Sequence, residues 1–415
     1  MFSFLYNHFK DWDIPGWGML QYISFRSSAA VIVSLFITMG FGHKLINFLR
    51  RKQISDEIRD LGLQGQLEKQ GTPTMGGLLI LASIVIPTLL FANLKNVYIL
   101  LMLLTTVWLG GLGFVDDYIK VFRKHKKGLG GWLKILGQVS LGIIVVATLY
   151  FSDAAVAREP VIDADGNVMK EVVVGADGKH VEHTVMQETK STRTTIPFFK
   201  DHEFDYAWFV WWTTREYEWL SWLVYAAVII LIIVGMSNAA NLTDGIDGLA
   251  TGTSAISGAT LGILAYVSGN VIFSDYLNII YIPNIGELSV FVAAFIGATV
   301  GFLWYNSHPA QVFMGDTGSL ALGGILAVFA VIIRKEILLP LLCGIFLVEN
   351  LSVVIQVSWF KWTKQKYGVG RRVFLMTPIH HHFQQKKIPE EKIVTRFWIV
   401  GIVLAVVTLA TLKIR

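Results

Sequence analysis

Long apolar runs alternate with short polar, glycine-rich and charged connections along nearly the whole chain. A helix needs roughly 20 apolar residues, within a range of about 17–25, to cross a bilayer. Such runs predict helices over Tyr22–Leu49, Met75–Ala92, Val97–Val115, Trp132–Phe151, Trp219–Met236, Leu249–Val267, Leu288–Tyr305, Leu320–Ile333, Ile337–Ser358 and Phe397–Leu412. That makes about ten crossings. The rhythm changes once, in Ser152–Glu218. There, valine-rich alternation flanks Asp165-Gly166 and Asp177-Gly178, which predicts a small β-hairpin or two. The stretch Asp163–Asn167 looks like the start of a calcium loop but lacks the downstream glutamate, so a structural insert over residues 152–200 is expected. Met1–Gln21 carries Tyr6, Trp12 and Trp17, interrupted by Lys10, Asp11, Asp13 and Pro15. It reads as an interfacial aromatic segment rather than a cleaved leader.

Composition agrees with this pattern. The chain is 53% hydrophobic and 16% charged, whereas soluble domains carry about 25% charged residues. An all-α polytopic integral membrane protein follows, with the β-rich insert on one face. The single cysteine, Cys343, rules out a disulfide within the chain and a cysteine-based metal site. Net charge is only +5, but its placement is informative. Lys44 near the end of the first span, and Arg50, Arg51, Lys52, Arg59 and Lys69 after it, precede the second. Lys120, Arg123, Lys124, Lys126 and Lys127 lie between the third and fourth, and eight more basic residues, from Lys361 to Lys392, precede the last. Alternate loops are poor in lysine and arginine, with Arg334 and Lys335 a small exception. Basic loops stay in the cytoplasm, so both termini and the insert are expected on the outer side. Trp208, Trp211, Trp212, Trp219 and Trp222 then lead the chain back to the interface.

Three acidic clusters fall on the cytoplasmic side of this topology. Asp116-Asp117 ends the third span in G-F-V-D-D-Y-I-K. Asn238, Asn241, Asp244 and Asp247 lie in S-N-A-A-N-L-T-D-G-I-D-G-L-A. Asp316 opens D-T-G-S-L after the seventh span. Ionisable groups this close to hydrocarbon are costly and mark function by default. Asp-Gly is also ordinary turn chemistry, and Asp316 before Thr317 also suits a helix cap. Adjacent on a helix, Asp116 and Asp117 point about 100° apart, so one can meet a cation while the other takes a proton or braces a lysine. Asn241, Asp244 and Asp247 step by three, which predicts one helical flank. Oxygen ligands without cysteine suit Mg²⁺, which takes one or two carboxylates plus water and substrate phosphate.

Basic and imidazole groups complete the inventory. Lys69 precedes G-T-P-T-M-G-G, a turn whose N–H groups can hold an anion at a helix start. Lys120, Arg123 and Lys124 suit either a phosphate or anionic lipid heads. His380, His381 and His382 follow Pro378 in T-P-I-H-H-H-F, expected as a loop or bent helix. No spaced second pair completes a zinc site, so contact with a phosphate or nucleobase is the better expectation.

These five motifs, taken in order, resemble the phospho-N-acetylmuramoyl-pentapeptide transferases of the polyprenyl-phosphate N-acetylhexosamine-1-phosphate transferase superfamily. The resemblance runs from about Phe41 to the C-terminus, and P-I-H-H-H-F is its most selective part. It implies ten transmembrane helices forming a single transferase domain over residues 1–415, with a cytoplasmic site in a bacterial inner membrane. It implies Mg²⁺-dependent transfer of phospho-MurNAc-pentapeptide from UDP-MurNAc-pentapeptide to undecaprenyl phosphate, giving lipid I and UMP for peptidoglycan and cell-wall synthesis. Carried over residue by residue, Asp316 matches the metal ligand, Asp116 and Asp117 the essential acidic pair, and His381 a catalytic histidine. Lys69, Thr74, Lys120, Asn241, Asp244, Asp247, Asn306, Phe313, His380 and His382 match the substrate-binding set, with Phe313 placed to stack on uracil. Membrane lipid and a second copy of the chain are further partners, and no nucleic acid is expected. Two departures stand out: the insert, about Ser152–Lys190, is longer than the family's loop, and Gln384 stands where an acidic residue is common.

Electrostatics and positioning carry such a phosphoryl transfer. Direct attack by the lipid phosphate, assisted by Asp116, and a two-step route through an aspartyl-phosphate on Asp116 or Asp117 both fit the sequence. A related transferase using UDP-GlcNAc is an alternative. A transporter is another, although its polar groups belong at the midplane rather than at helix ends on one side.

Overall fold

The computed structural model describes residues 17–52, 69–125, 127–161, 169–174, 180–196, 203–210 and 219–413. The calcium-loop-like stretch, Asp177-Gly178, Arg59, Lys126, Trp211, Trp212 and all of Met1–Gly16 lie outside them.

Thirteen helices run through the described residues. They are α1 (Ile23–Arg51), α2 (Gly77–Phe91), α3 (Val97–Phe122), α4 (Gly131–Phe151), α5 (Trp219–Thr243), α6 (Leu249–Ser268), α7 (Val271–Leu277), α8 (Leu288–Asn306), α9 (Gly315–Ile332), α10 (Leu339–Leu342), α11 (Gly344–Tyr367), α12 (Ile379–Gln385) and α13 (Glu390–Thr411). Nine are long and apolar enough to cross a membrane, and the 15-residue α2 is the shorter apolar tenth. The chain is a polytopic helical membrane protein, as its hydropathy predicts. Large apolar side chains such as Phe36, Leu231, Ile272 and Trp304 are exposed on its outside, as a lipid-facing surface requires.

The ninth expected helix differs at both ends. Residues 336–338 form a 3₁₀ turn, α10 is a single turn, and α11 begins only at Gly344. At its other end α11 continues to Tyr367, because Trp359, Lys361, Trp362 and Lys364 do not break a helix and Gly368, at φ 75°, does. Asn241, Asp244 and Asp247 do not share a helical flank. α5 stops at Thr243, and the two Asp-Gly pairs turn the chain before α6, with Gly248 at φ 78°. Nor is the histidine motif a loop, since residues 379–385 form α12 directly after Pro378.

α9 is the centre of the bundle and is buried along nearly its whole length. It packs on α3, α5, α2 and α6. No hydrophobic effect drives helices together in lipid, so close approach rests on small residues. Gly113 of α3 lies where a Cβ would sit 2.1 Å from the Asp316 carbonyl oxygen, and Gly77 of α2 where it would sit 2.2 Å from the Gly318 nitrogen. Both glycines let neighbouring backbones reach the first turn of α9.

Among the described residues the insert forms three antiparallel pairs. β1 (Ala157–Pro160) pairs with β4 (Met186–Thr189), β2 (Lys170–Val174) with β3 (His180–Thr184), and β5 (Arg193–Thr195) with β6 (Glu203–Asp205). β5 docks on the bundle through Thr195 N–H to the Arg334 carbonyl at 3.0 Å and through the buried Lys335 ammonium, which donates to Thr195 Oγ1. Tyr206 OH, just beyond β6, donates to the buried Glu336 at 3.3 Å.

Candidate active site

Asp117 is the organising carboxylate. The first turn of any helix leaves its N–H groups without partners, and α9 begins at Gly315 with no cap of its own. Asp117 supplies one from α3: its oxygens accept from Asp316 N (3.1 Å), Thr317 N (2.9 Å) and Thr317 Oγ1 (2.6 Å). Gly315 has φ 72°, and a Cβ there would lie 2.7 Å from Asp117 Oδ2, so glycine is required. Asp316 therefore projects from the positive end of the α9 dipole rather than capping the helix itself.

Asp116, one residue earlier, is fully buried and faces another way. It accepts from Leu129 N at 2.6 Å and pairs with Lys120 at 2.6 Å and Lys134 at 3.0 Å. The same two ammonium groups reach Asp316, at 3.2 Å from Lys120 and 2.6 Å from Lys134. Asn241 donates to Asp316 at 2.8 Å and to Ser319 Oγ at 2.9 Å. Asp116, Asp117 and Asp316 each offer an oxygen within 4.8 Å of the others. Lys134, in the first turn of α4, was not singled out from sequence. A lone lysine inside the run W-L-K-I-L is the signal that finds it.

A second cluster surrounds Asp247. Lys69 bridges Asp247 (2.7 Å) and Glu390 (2.5 Å), while Asp247 also receives His308 Nδ1 at 3.1 Å and Ala310 N at 3.0 Å. Glu390, at the start of α13, accepts from Asp247 N at 2.8 Å. His308 and Glu390 carry no local motif that would reveal them in the sequence. Asp244 lies between the two clusters. Burial, then the charges of Asp316, Asp117 and Asp247, raises its carboxyl well above the ordinary value.

The remaining candidates divide into wall and scaffold. Phe313 is half-buried, its backbone clipped to the glycine-rich turn by Phe313 N to Pro73 O at 2.8 Å and Gly76 N to Phe313 O at 2.9 Å. Thr74 is buried beside Gly315. Asn306 is buried, accepting from Gly248 N and Thr251 Oγ1 and donating to Val312 O, so it holds the turn in place. His380 is also fully buried; its Nδ1 is 3.0 Å from Glu349, and its Nε2 lies against Gly245. His382 Nδ1 accepts from Leu375 N at 3.1 Å. Only His381 of the three is held by its own helix, 2.7 Å from Gln384.

The glycosyl transferase family 4 model matches residues 185–334, and phospho-N-acetylmuramoyl-pentapeptide-transferase signature 1 matches residues 69–81, which hold Lys69 and Thr74. The phospho-N-acetylmuramoyl-pentapeptide-transferase of Flavobacterium psychrophilum is 55% identical over 415 residues, covering 100% of this chain and 99% of that one. The chain belongs to the phospho-N-acetylmuramoyl-pentapeptide-transferase family. Family members from Parabacteroides distasonis, 56% identical, and Flavobacterium johnsoniae, 55% identical, also align over the full length of both chains. With about half of all positions shared across the whole chain, the likeness takes in the bundle, the β-paired insert and the polar end together.

Proposed function

We propose that the chain transfers phospho-MurNAc-pentapeptide from UDP-MurNAc-pentapeptide to undecaprenyl phosphate, giving lipid I and UMP for peptidoglycan synthesis. The observation that carries this reading is the convergence of Asp116, Asp117 and Asp316 with Lys120 and Lys134 at the start of α9. Family membership supplies the substrates.

Mg²⁺ fits the donor set. Three hard carboxylate oxygens lie within bridging distance, and no sulfur or imidazole is among them. Asp316 would hold the ion, beside the Asp116 and Asp117 carboxylates. When bound, Mg²⁺ neutralises the pyrophosphate and stabilises the departing UMP. The protein's own groups do the rest. Lys120 and Lys134 meet the donor's phosphates, and the α9 N-terminus favours negative charge there. Asn241 fixes the Asp316 carboxylate. Phe313, Lys69 and Asp244 form the nucleoside side of the pocket, and His381 borders it.

Both Asp117 oxygens are committed to α9, which leaves Asp116 as the acidic partner of the reaction. In the direct route the lipid phosphate attacks the β-phosphate of the donor. Asp116 takes its remaining proton once the two lysines turn to the donor. Trapping a phosphorylated enzyme from donor alone would overturn the direct route.

The site faces the cytoplasm in this proposal, in a bacterial inner membrane, with both termini and the 152–200 insert periplasmic. Residues 1–415 act as a single domain. Lipid carrier access is supported by the exposed apolar flank of α11 and by a cavity of about 650 Å³ beside it, where Lys361 and Arg372 line the wall with Phe360 and Met376. The deciding experiment is UMP release by purified protein supplied with the UDP-linked donor, undecaprenyl phosphate and Mg²⁺. UMP formed only with all three supports the proposal. Equal turnover of UDP-GlcNAc would transfer it to the sister transferases. Uptake of substrate without chemistry, unaffected by Asp316→Asn, would replace it with transport.

A further inference from the structure

Gln384 lies in an unbroken chain of polar contacts that joins the histidine motif to the second cluster. Its side-chain oxygen is 2.7 Å from His381 Nδ1, and its side-chain nitrogen is 3.1 Å from Glu390 Oε2. Glu390 in turn receives Lys69 at 2.5 Å and Asp247 N at 2.8 Å on its other oxygen. The direction of the amide is therefore determined. A carboxylate ion-paired with lysine accepts only, so Gln384 must turn its NH₂ toward Glu390. Its oxygen then faces His381, and an acceptor 2.7 Å from a ring nitrogen requires that nitrogen to carry the proton. Either alternative, a flipped amide or a bare Nδ1, sets two acceptors against each other.

We propose that Gln384 is a positioning residue that fixes His381 as its Nδ1–H tautomer, leaving Nε2 as a hydrogen-bond acceptor for the nucleotide half of the donor substrate. This rests on the transferase reading above. Burial, the adjacent His380 ring and Lys69 together lower the His381 imidazole to about 4, so near pH 7 the ring is neutral and has one proton to place. Centroids of the two rings are 4.1 Å apart, which holds the plane of His381. Among the described residues Nε2 makes no hydrogen bond of its own. The tautomer decides what it can recognise: a bare Nε2 accepts from a hydroxyl or imide N–H and repels a phosphate oxygen. His380 cannot substitute, since it is enclosed between Glu349 and Gly245. The chain Gln384–Glu390–Lys69 also couples the tautomer to the residues around Asp247.

The test uses the full-length protein in detergent, ¹⁵N-labelled in its histidine rings, with the His381 signals assigned by their loss in His381→Asn. The expected spectrum shows a protonated Nδ1 and a bare Nε2 at His381. Gln384→Ala should shift that ring toward the Nε2–H form. In UMP-release kinetics it should raise KM for UDP-MurNAc-pentapeptide about tenfold, the scale of losing one hydrogen bond, with KM for undecaprenyl phosphate unchanged. Gln384→Glu keeps an acceptor for His381 but loses the donor to Glu390, so it isolates the acceptor: the Nδ1–H tautomer should persist. A wild-type ring already in the Nε2–H form, or a Gln384→Ala enzyme in which both KM values move together or neither moves, would overturn the proposal. Wild-type protein that releases no UMP would sink the transferase reading instead, and the spectrum would still decide the tautomer.

Discussion

Asp117 and Asp316 lie 199 positions apart and act as one unit, the first building the helix start from which the second projects. Their substitutions should therefore separate. Asp316→Asn removes the charge that would hold the metal while keeping a side chain of the same shape. UMP release should fall by at least about 10²–10³-fold, the scale for losing a principal electrostatic group, with the thermal transition in detergent nearly unchanged. Magnesium-dependent turnover retained in that variant would refute the assignment. Asp117→Ala strips the cap from a buried helix and leaves Thr317 without its partner. It should cost about 1–3 kcal/mol of stability as well as activity, and the loss should appear as a lowered melting temperature. The sequence marked both aspartates as chemically important. It could not separate them, because the difference lies in which backbone N–H groups each one meets.

Elements show the same dependence on neighbours. α9 could be found from hydropathy, but its central position could not, since any of the apolar runs could have occupied the middle. The glycines at its contacts are specific to that position. Gly113→Ala adds one methyl group 2.1 Å from the Asp316 carbonyl oxygen. It should cost about 1–3 kcal/mol through overpacking and reduce UMP release, although no functional group is altered. Gly111→Ala, two residues earlier in the same helix with nothing within 4 Å of its added Cβ, should leave both intact. Equal effects from the two would refute close packing at Gly113. The turn after α5 failed as a sequence expectation for a related reason. Spacing of three suits a helix, but Gly245 and Gly248 allow the chain to turn, and Asp247 gains Lys69, His308 and Ala310 N only once it has turned.

Across the whole molecule, the two ends of the bundle handle charge differently. At the α9 start, the carboxylates of Asp116, Asp117 and Asp316 alternate with the ammonium groups of Lys120 and Lys134. At the opposite end, Lys335 is fully enclosed beneath the insert, and burial pushes its ammonium down to about 7 from an ordinary 10.5. Between those values the unfolded chain binds a proton that the folded one does not. Stability should therefore rise as pH increases from about 7 toward 10.5 and stay low below 7. Lys335→Met should flatten that part of the stability profile measured by thermal unfolding in detergent. An unchanged slope would show that Lys335 holds its proton when folded.

By itself the sequence determined the number and places of the apolar helices, the break at the insert, and the five polar motifs that mark the family. Each depends on the composition of a short stretch, and a bilayer imposes length and polarity requirements that a short stretch can meet alone. Tertiary structure decided the rest. It gave Asp117 to the α9 backbone and Asp116 to the two lysines, brought Lys134, His308 and Glu390, which no motif marked, beside the predicted acidic residues, and buried His380 and Asn306. The physical reason is common to all of these. The role of a polar side chain at the edge of a membrane is set by the few donors and acceptors within about 3 Å of it, and those come from helices remote in the chain.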